Sequence, residues 1–327
     1  MKYRQIANTE LTVSEIGVPL RPLATSDYGH VTEQDTVNLL ARAFDMGFTY
    51  FDTADSYTEG YGERVLARAL GRRRHDIVIS TKAGYDFYRP VIDPSERGKS
   101  QRWTPGFIQY ACEQSLRRLD TDYIDLFMLH HPDPDVIDDD ELFGMLDDLV
   151  AAGKARYYGV MLDDTPESEE TGEGAIDHRH VSAVEMTFGM LEQQPGRNLI
   201  RRAQDTTTAI IAYDPSASGA LENVDAGDEA TANLNQRMRQ EAFERHRRGR
   251  EALEDGLREF GGDVGTWAIK FALASPTVAS TLPVATSYAR LLELAEVADR
   301  DDLPREFVER AFEVYDSEIA NRQVWRS

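Results

Sequence analysis

The sequence predicts a (β/α)8 barrel, and three observations carry that prediction. Eight short apolar runs recur along 327 residues, most of them separated by a stretch of helical periodicity. The runs are nearly continuous in apolar character, as strands buried on both faces of a parallel sheet must be. Several end abruptly in a polar residue, at the strand end where barrels carry their sites. A doubly wound open sheet is the structural competitor, but no G-x-G-x-x-G follows an early strand. Residues 1–327 are therefore expected to form a single (β/α)8 TIM barrel domain with an N-terminal β-hairpin and a C-terminal helix.

The elements follow in chain order. YRQI and TVSEI, around "ANTE", read as the hairpin, and 15–20 as the first barrel strand. "TEQD" is a capping box that opens a helix over 33–46, and Gly47 stops it. The strand 48–52 ends in Asp52, and a helix over 62–70 ends at Gly71. "DIVISTK" (76–82) ends in Lys82. Pro105 sits in the first turn of a helix over 104–119, a favourable place for it. "DYIDLFMLH" (122–130) ends in His130, and a helix over 139–152 is stopped by Gly153. "ARYYGVM", 180–188, 207–214 and 277–284 are the remaining strands, the last followed by a helix over about 287–298. Two segments break the rhythm. Residues 162–179 are very acidic and read as a long loop with a frayed helix. Residues 217–240 form a long polar excursion after the seventh strand, and loops on that face of a barrel usually carry function. The stretch "REFVERAFEVYDSEIANRQVW" reads as an amphipathic helix.

Composition narrows the function classes. Asp and Glu number 58 against 36 Lys and Arg, a formal net charge of −22. So acidic a surface repels nucleic acid and anionic membranes, and neither is expected as a partner. Only Lys2, Lys82, Lys99, Lys154 and Lys270 are lysines. Scarce lysine with excess acid points to a halophilic protein whose self-repulsion high salt screens. No run is long and apolar enough for a transmembrane helix, the N-terminus lacks a signal-peptide core, and the lone Cys112 cannot form an internal disulfide. These features fit a reducing cytoplasm.

In a barrel the strand tips converge, so Asp52, Lys82 and His130, with Tyr57 in the loop beyond Asp52, are expected to face one site. Tyrosine titrates near 10. An ammonium beside it favours the phenolate, a carboxylate holds that ammonium, and a histidine can orient a carbonyl oxygen. Such a set is a general acid aimed at a carbonyl that receives hydride from its other face. Each residue alone has a plainer reading: a helix cap for Asp52, a surface aromatic for Tyr57, a solvated rim charge for Lys82, a structural histidine for His130. Their succession on consecutive strands is what favours chemistry.

These residues resemble the aldo-keto reductase family over nearly the whole chain. "FDTADSYTEGYGE" is similar to its strand-two motif, "STKAGYD" to its lysine strand and "DYIDLFMLHHPDP" to its histidine strand. "GKARYYGV", "AYDPSASGAL" and "LPVATSYARLLE" match later landmarks. The resemblance implies NADP(H)-dependent reduction of a small-molecule aldehyde or ketone, with NAD possible. Tyr57 is then the acid, Lys82 the modifier of its pKa, Asp52 the partner of Lys82, and His130 the carbonyl orienter. Glu63 belongs to the motif with a structural role. For the cofactor it implies Glu185, Tyr213, Ser216, Ser218, Thr286, Ser287 and Arg290, with Tyr213 stacked on the nicotinamide and Arg290 at the adenosine end. Asp55 reads as a loop or capping residue, and Tyr85, Phe87, Tyr88 and Trp103 as candidates for an apolar substrate pocket.

The cradle departs from the family pattern. Met161 and Leu162 stand where Ser-Asn is usual, Glu185 where Gln is usual, Pro19-Leu20 where Gly-Thr is usual, Val284 replaces a glycine, and Asp214 follows Tyr213 where Ser is common. An alternative reading is therefore a barrel with altered or lost cofactor binding that serves as a regulatory or binding subunit. A metal-dependent barrel using His130, His131 and Asp133 is a weaker third, since no further strand-tip histidine completes a ligand shell. No metal is expected.

Overall fold

The computed structural model of the chain describes residues 1–25, 31–89, 100–217, 219–222 and 236–320, with the backbone alone over 236–245. The N-terminal hairpin pairs β1 (Tyr3–Gln5) with β2 (Thr12–Ser14) antiparallel. Eight parallel strands follow: β3 (Val18–Pro19), β4 (Tyr50–Asp52), β5 (Val78–Ala83), β6 (Ile124–His130), β7 (Ala155–Met161), β8 (Ala183–Thr187), β9 (Ala209–Tyr213) and β10 (Val278–Leu282). Each pairs with its neighbour in sequence. Beside β3, Ile16 bridges Thr281 in parallel, with Gly17 N–H donating to the Thr281 carbonyl at 2.9 Å and Thr281 N–H to the Glu15 carbonyl at 2.8 Å. These bonds join the first strand to the last, and the predicted (β/α)8 barrel results.

Alternation along each strand sorts side chains between two cores. Phe51, Ile79, Phe127, Leu129, Val160, Val184, Met186, Ile210 and Ala212 point outward into the layer shared with the helices. Tyr50, Val78, Leu126, Met128, Met161, Ala183, Ile211 and Tyr213 fill the interior. Ile6, Leu11 and Val13 of the hairpin belong to that interior cluster as well. The hairpin therefore plugs the N-terminal end, and Arg4 fixes it there by donating to the carbonyls of Ser275 and Val278 at 3.0 and 2.9 Å. Among the described residues, the polar strand tips lie at the other end.

The helix starts bear out the capping signals. Thr32 accepts from Asp35 N–H at 3.2 Å before helix Glu33–Asp45, and Gly47, at φ +93°, takes the chain out. Asp139 accepts from Glu141 and Leu142 before helix Asp140–Ala151. Pro105 begins helix Pro105–Leu119. Three expectations change. The acidic segment 162–179 holds a formed helix, Ser168–Asp177. Its Gly172 and Gly174 are sites of close approach: a Cβ on Gly172 would lie 2.6 Å from Leu199 and 3.0 Å from Leu162, and one on Gly174 3.0 Å from Ile137. Helices Gly196–Ala203, Gln236–Gly256 and Val264–Ala272 were not foreseen. The expected C-terminal helix is Arg305–Val314 followed by a π turn, Tyr315–Ile319. Most of the 217–240 excursion lies outside the described residues.

Candidate active site

The alternation that turns Tyr50 and Met128 inward also turns in Asp52, Ser80, Lys82, His130 and Glu185, all buried at the open end of the barrel. Lys82 is fully buried. Its ammonium is ion-paired with Asp52 and donates to the Thr53 carbonyl at 3.0 Å. The second Asp52 contact is the Ser80 hydroxyl, which donates to Oδ2 at 2.6 Å. Across the interior, Glu185 Oε2 lies 3.3 Å from Lys82 Nζ, within ion-pair distance but not aligned for a hydrogen bond. Burial opposes the Lys82 charge, yet the two carboxylates hold its pKa above the ordinary value. Burial, reinforced by Asp52 and opposed by Lys82, pushes the Glu185 carboxyl up to about 8. At neutral pH the Glu185 carboxyl therefore holds a proton, which limits the cost of burying it beside the Lys82–Asp52 pair.

Tyr57 stands at the rim of the same site, 7% exposed, in a small apolar cluster with Ala24 and Ala54. Burial, then the Asp52 carboxylate, raise its pKa well above the ordinary phenol, while Arg21 acts the other way. Among the described residues the hydrogen bonds of Lys82 go to Asp52 and Thr53, not to the phenol. The expected lowering of the Tyr57 pKa by Lys82 is therefore not seen here: burial and the Asp52 carboxylate outweigh it, and Tyr57 is a firmly protonated donor. His130 meets Tyr57 edge to face at 5.8 Å and Tyr85 at 5.1 Å. Burial, followed by the neighbouring His131, Lys82 and Arg21, lowers the His130 pKa well below the usual value. Its ring is neutral, with Nδ1 3.5 Å from Ser56 Oγ. His131 bonds the Tyr85 hydroxyl through Nδ1 at 2.9 Å and is pushed down to about 4 by burial.

Asp55 is not a cap. It is wholly buried, its N–H donates to the Lys82 carbonyl at 3.0 Å, and its Oδ2 accepts from the Tyr88 hydroxyl at 3.3 Å. Tyr88 in turn accepts from Arg118 Nη2 at 3.0 Å, and Arg118 is ion-paired with the buried Glu63, which Thr81 Oγ1 also contacts at 2.6 Å. This network ties the Tyr57 loop to the loop after β5. Of the four aromatics expected in one pocket, Tyr85 and Trp103 lie by His130: a Cβ on Gly84 would sit 2.5 Å from the Trp103 ring and 3.2 Å from the His130 carbonyl. Phe87 and Tyr88 stack on each other at 4.1 Å, beneath the Arg118 guanidinium. A polar cleft of about 140 Å³ opens beside Tyr85 and His131, lined also by Gln101, Asp133, Asp163 and Thr165.

The residues expected around a nucleotide divide. Tyr213 closes the interior at the tip of β9. Ser216, in the turn beyond it, is fully buried, and among the described residues its hydroxyl has no hydrogen-bond partner. Ser218 lies outside the described residues. Thr286 is half-buried, and the Ser287 hydroxyl caps helix Tyr288–Asp299 by accepting from Arg290 N–H at 3.1 Å. Arg290 pairs with Glu222 at 2.7 Å and with Glu293 at 3.1 Å. Met161 points into the interior, whereas Leu162 turns outward against helix Ser168–Asp177. Sequence reasoning missed Ser56, Ser80, Arg21 and Glu222. Ser56 is the immediate neighbour of Tyr57 and Ser80 lies two residues before Lys82 on β5, and nothing in their residue type singles them out. Among the described residues no group of three or more His, Cys, Asp or Glu is placed to hold a metal ion, and no helix is long and apolar enough to cross a membrane.

Comparison with known proteins agrees with this fold. The model of the Aldo/keto reductase family matches residues 23–316. The uncharacterized oxidoreductase YqkF of Bacillus subtilis (strain 168) is 27% identical over 311 residues, 94% of each chain. A second uncharacterized oxidoreductase of that organism, YrpG, is 27% identical over 303 residues, 87% of this chain and 86% of its own. The solved aldo-keto reductase AKR11C1 from Bacillus halodurans, in its holo form, superposes with a TM-score of 0.75 at 25% identity over 96% of both chains.

Proposed function

Because the chain belongs to the aldo/keto reductase family, we propose that this oxidoreductase reduces the carbonyl of an aldehyde or ketone to an alcohol, with NADP(H) as the preferred donor and NAD(H) as the alternative. One observation supports this above the others. A protonated phenol and a neutral imidazole stand edge to face at the open end of a barrel whose buried lysine is already paired behind them.

The roles follow from that arrangement. Tyr57 donates its proton to the carbonyl oxygen as negative charge develops there, a contribution on the order of 10²–10⁴ in rate for a placed general acid. Ser56 Oγ lies 3.5 Å from His130 Nδ1; in the tautomer with the ring proton on Nε2, Ser56 is the donor to Nδ1 and Nε2–H bonds the same oxygen and orients it. Lys82, ion-paired with Asp52, offsets the carboxylate charge that would otherwise oppose the phenolate left on Tyr57. The dinucleotide, when bound, supplies the hydride that the carbonyl carbon accepts. On this chain Tyr213 and Glu185 would meet its nicotinamide end. Ser216, Ser218, Thr286, Ser287 and Arg290 would meet its phosphates and adenosine. The orphaned Ser216 hydroxyl is the feature that best fits such a ligand.

A second reading, a barrel that binds without turnover, draws on Glu185 and Leu162, which are engaged with Lys82 and the outer helix rather than offered to a carboxamide. The decisive experiment mixes the chain with NADPH or NADH at molar salt, follows nucleotide fluorescence, and then follows nicotinamide absorbance with a panel of aldehydes. Binding with aldehyde-dependent oxidation supports the reductase, and binding without turnover supports the second reading. No binding of either nucleotide contradicts the proposal.

A further inference from the structure

The interior lysine has more acid around it than the proposed chemistry needs. Asp52 alone neutralises Lys82. Glu185 adds a second carboxyl from the opposite strand, fully buried, with Oε2 3.3 Å from Nζ and, among the described residues, no hydrogen-bond partner for Oε1. A buried carboxyl this poorly bonded is costly, and a hydrophobic residue would fill the same space.

We propose that Glu185 is a positioning residue of the reduction that acts through Lys82, drawing the ammonium between itself and Asp52 and so setting how much of its charge reaches Tyr57. This rests on the reading of Tyr57 as the proton donor. Among the described residues, the titratable groups that act on Glu185 come from β4, β5 and the loop after β4. From β4 come Asp52 and Tyr50, the latter kept protonated by burial. Lys82 comes from β5 and Tyr57 from the loop after β4. The paired strands β7 and β9 present Met161 and Ile211, which do not titrate. When Glu185 carries a proton, Lys82 balances Asp52 alone. When Glu185 ionises, two carboxylates face one ammonium, and Tyr57 becomes a weaker acid. Its carboxyl is pushed up to about 8 by burial and by Asp52, so this change falls within the range an enzyme assay can reach.

The test is the pH dependence of kcat/KM for aldehyde reduction at saturating NADPH, for the native chain and for Glu185→Gln. The native plateau should end near pH 8 and kcat/KM should fall roughly tenfold beyond it, the size expected when one nearby charge changes. In Glu185→Gln the plateau should continue through that range, with the higher rate. NADPH affinity, measured separately by fluorescence, should move less than the profile does. A native profile with no inflection near pH 8 overturns the proposal without recourse to any variant. So does an unchanged inflection in Glu185→Gln, or a variant that alters NADPH affinity alone. Tyr57→Phe separates the two layers: activity retained there removes the proton-donor reading itself, whereas loss there beside an unaltered Glu185→Gln profile removes this inference only.

Discussion

Stability should fall as pH rises through the neutral range, and Glu185 supplies the reason. In the unfolded chain this carboxyl titrates near 4.5, while in the folded barrel burial and Asp52 hold it at about 8. Below the lower value both states carry the proton, and the group contributes no pH dependence. Between the two values the folded state keeps a proton that the unfolded state releases, so the unfolded state gains with every unit of pH. Above the upper value both are ionised and the loss is complete. At 1.36 kcal/mol per pH unit the full loss is about 3–5 kcal/mol, taken toward the lower end because Lys82 shares the charge. That is a large part of the stability of an ordinary domain. Glu185→Gln removes the titration and keeps the shape. Urea denaturation at about 1 M KCl, from about pH 5 to about pH 9, measures both chains. The variant should gain on the native chain steadily as pH rises and level off above about pH 8. Taking the difference between the chains cancels the opposing contributions of His130 and His131, whose pKa values are lowered. A difference that stays within about 1 kcal/mol over the whole range, or one that shrinks with pH, refutes the linkage argument.

Other changes test other parts of the structure. Arg118→Ala leaves the buried Glu63 carboxylate without its ion partner and should cost about 3–5 kcal/mol in denaturant melts. Gly159→Ala places a Cβ 2.5 Å from the Ala183 carbonyl in the β7–β8 ladder; a loss of about 3 kcal/mol is expected, read as a lower Tm. Glu222→Gln releases Arg290 from its 2.7 Å ion pair and should tighten NADPH by roughly threefold to fivefold while leaving NADH nearly unchanged in fluorescence titrations. With a net charge of −22, unfolding free energy should rise as KCl is raised from about 0.1 M to about 1 M, where the Debye length is roughly 3 Å.

The barrel was readable because its strands announce themselves twice, as apolar runs and as polar residues at their tips. Asp52, Lys82 and His130 each stand where an apolar run stops, and the structure brings them to one end. What stayed hidden depends on contacts between distant elements. The reach of Lys82 to Glu185 crosses the barrel interior from β5 to β8, and no spacing along the chain encodes it. Asp55 looks like any loop acid until Tyr88, more than 30 residues on, is seen to donate to it. Helix Ser168–Asp177 was concealed by its acids and by two glycines whose purpose is close packing against Leu199 and Ile137. Helix Gln236–Gly256 is so polar, with runs such as "ERHRRGRE", that periodicity alone does not separate it from a loop.

The central claim is that Tyr57 delivers a proton to a carbonyl from a site whose lysine is held behind it. Single-turnover reduction of one aldehyde by Tyr57→Phe, with NADPH binding measured on the same preparation, tests it most directly. Tyr57→Phe should bind NADPH at close to native affinity and reduce the aldehyde more slowly by roughly 10²–10⁴. A Tyr57→Phe chain that binds NADPH and still reduces the aldehyde at the native rate contradicts it.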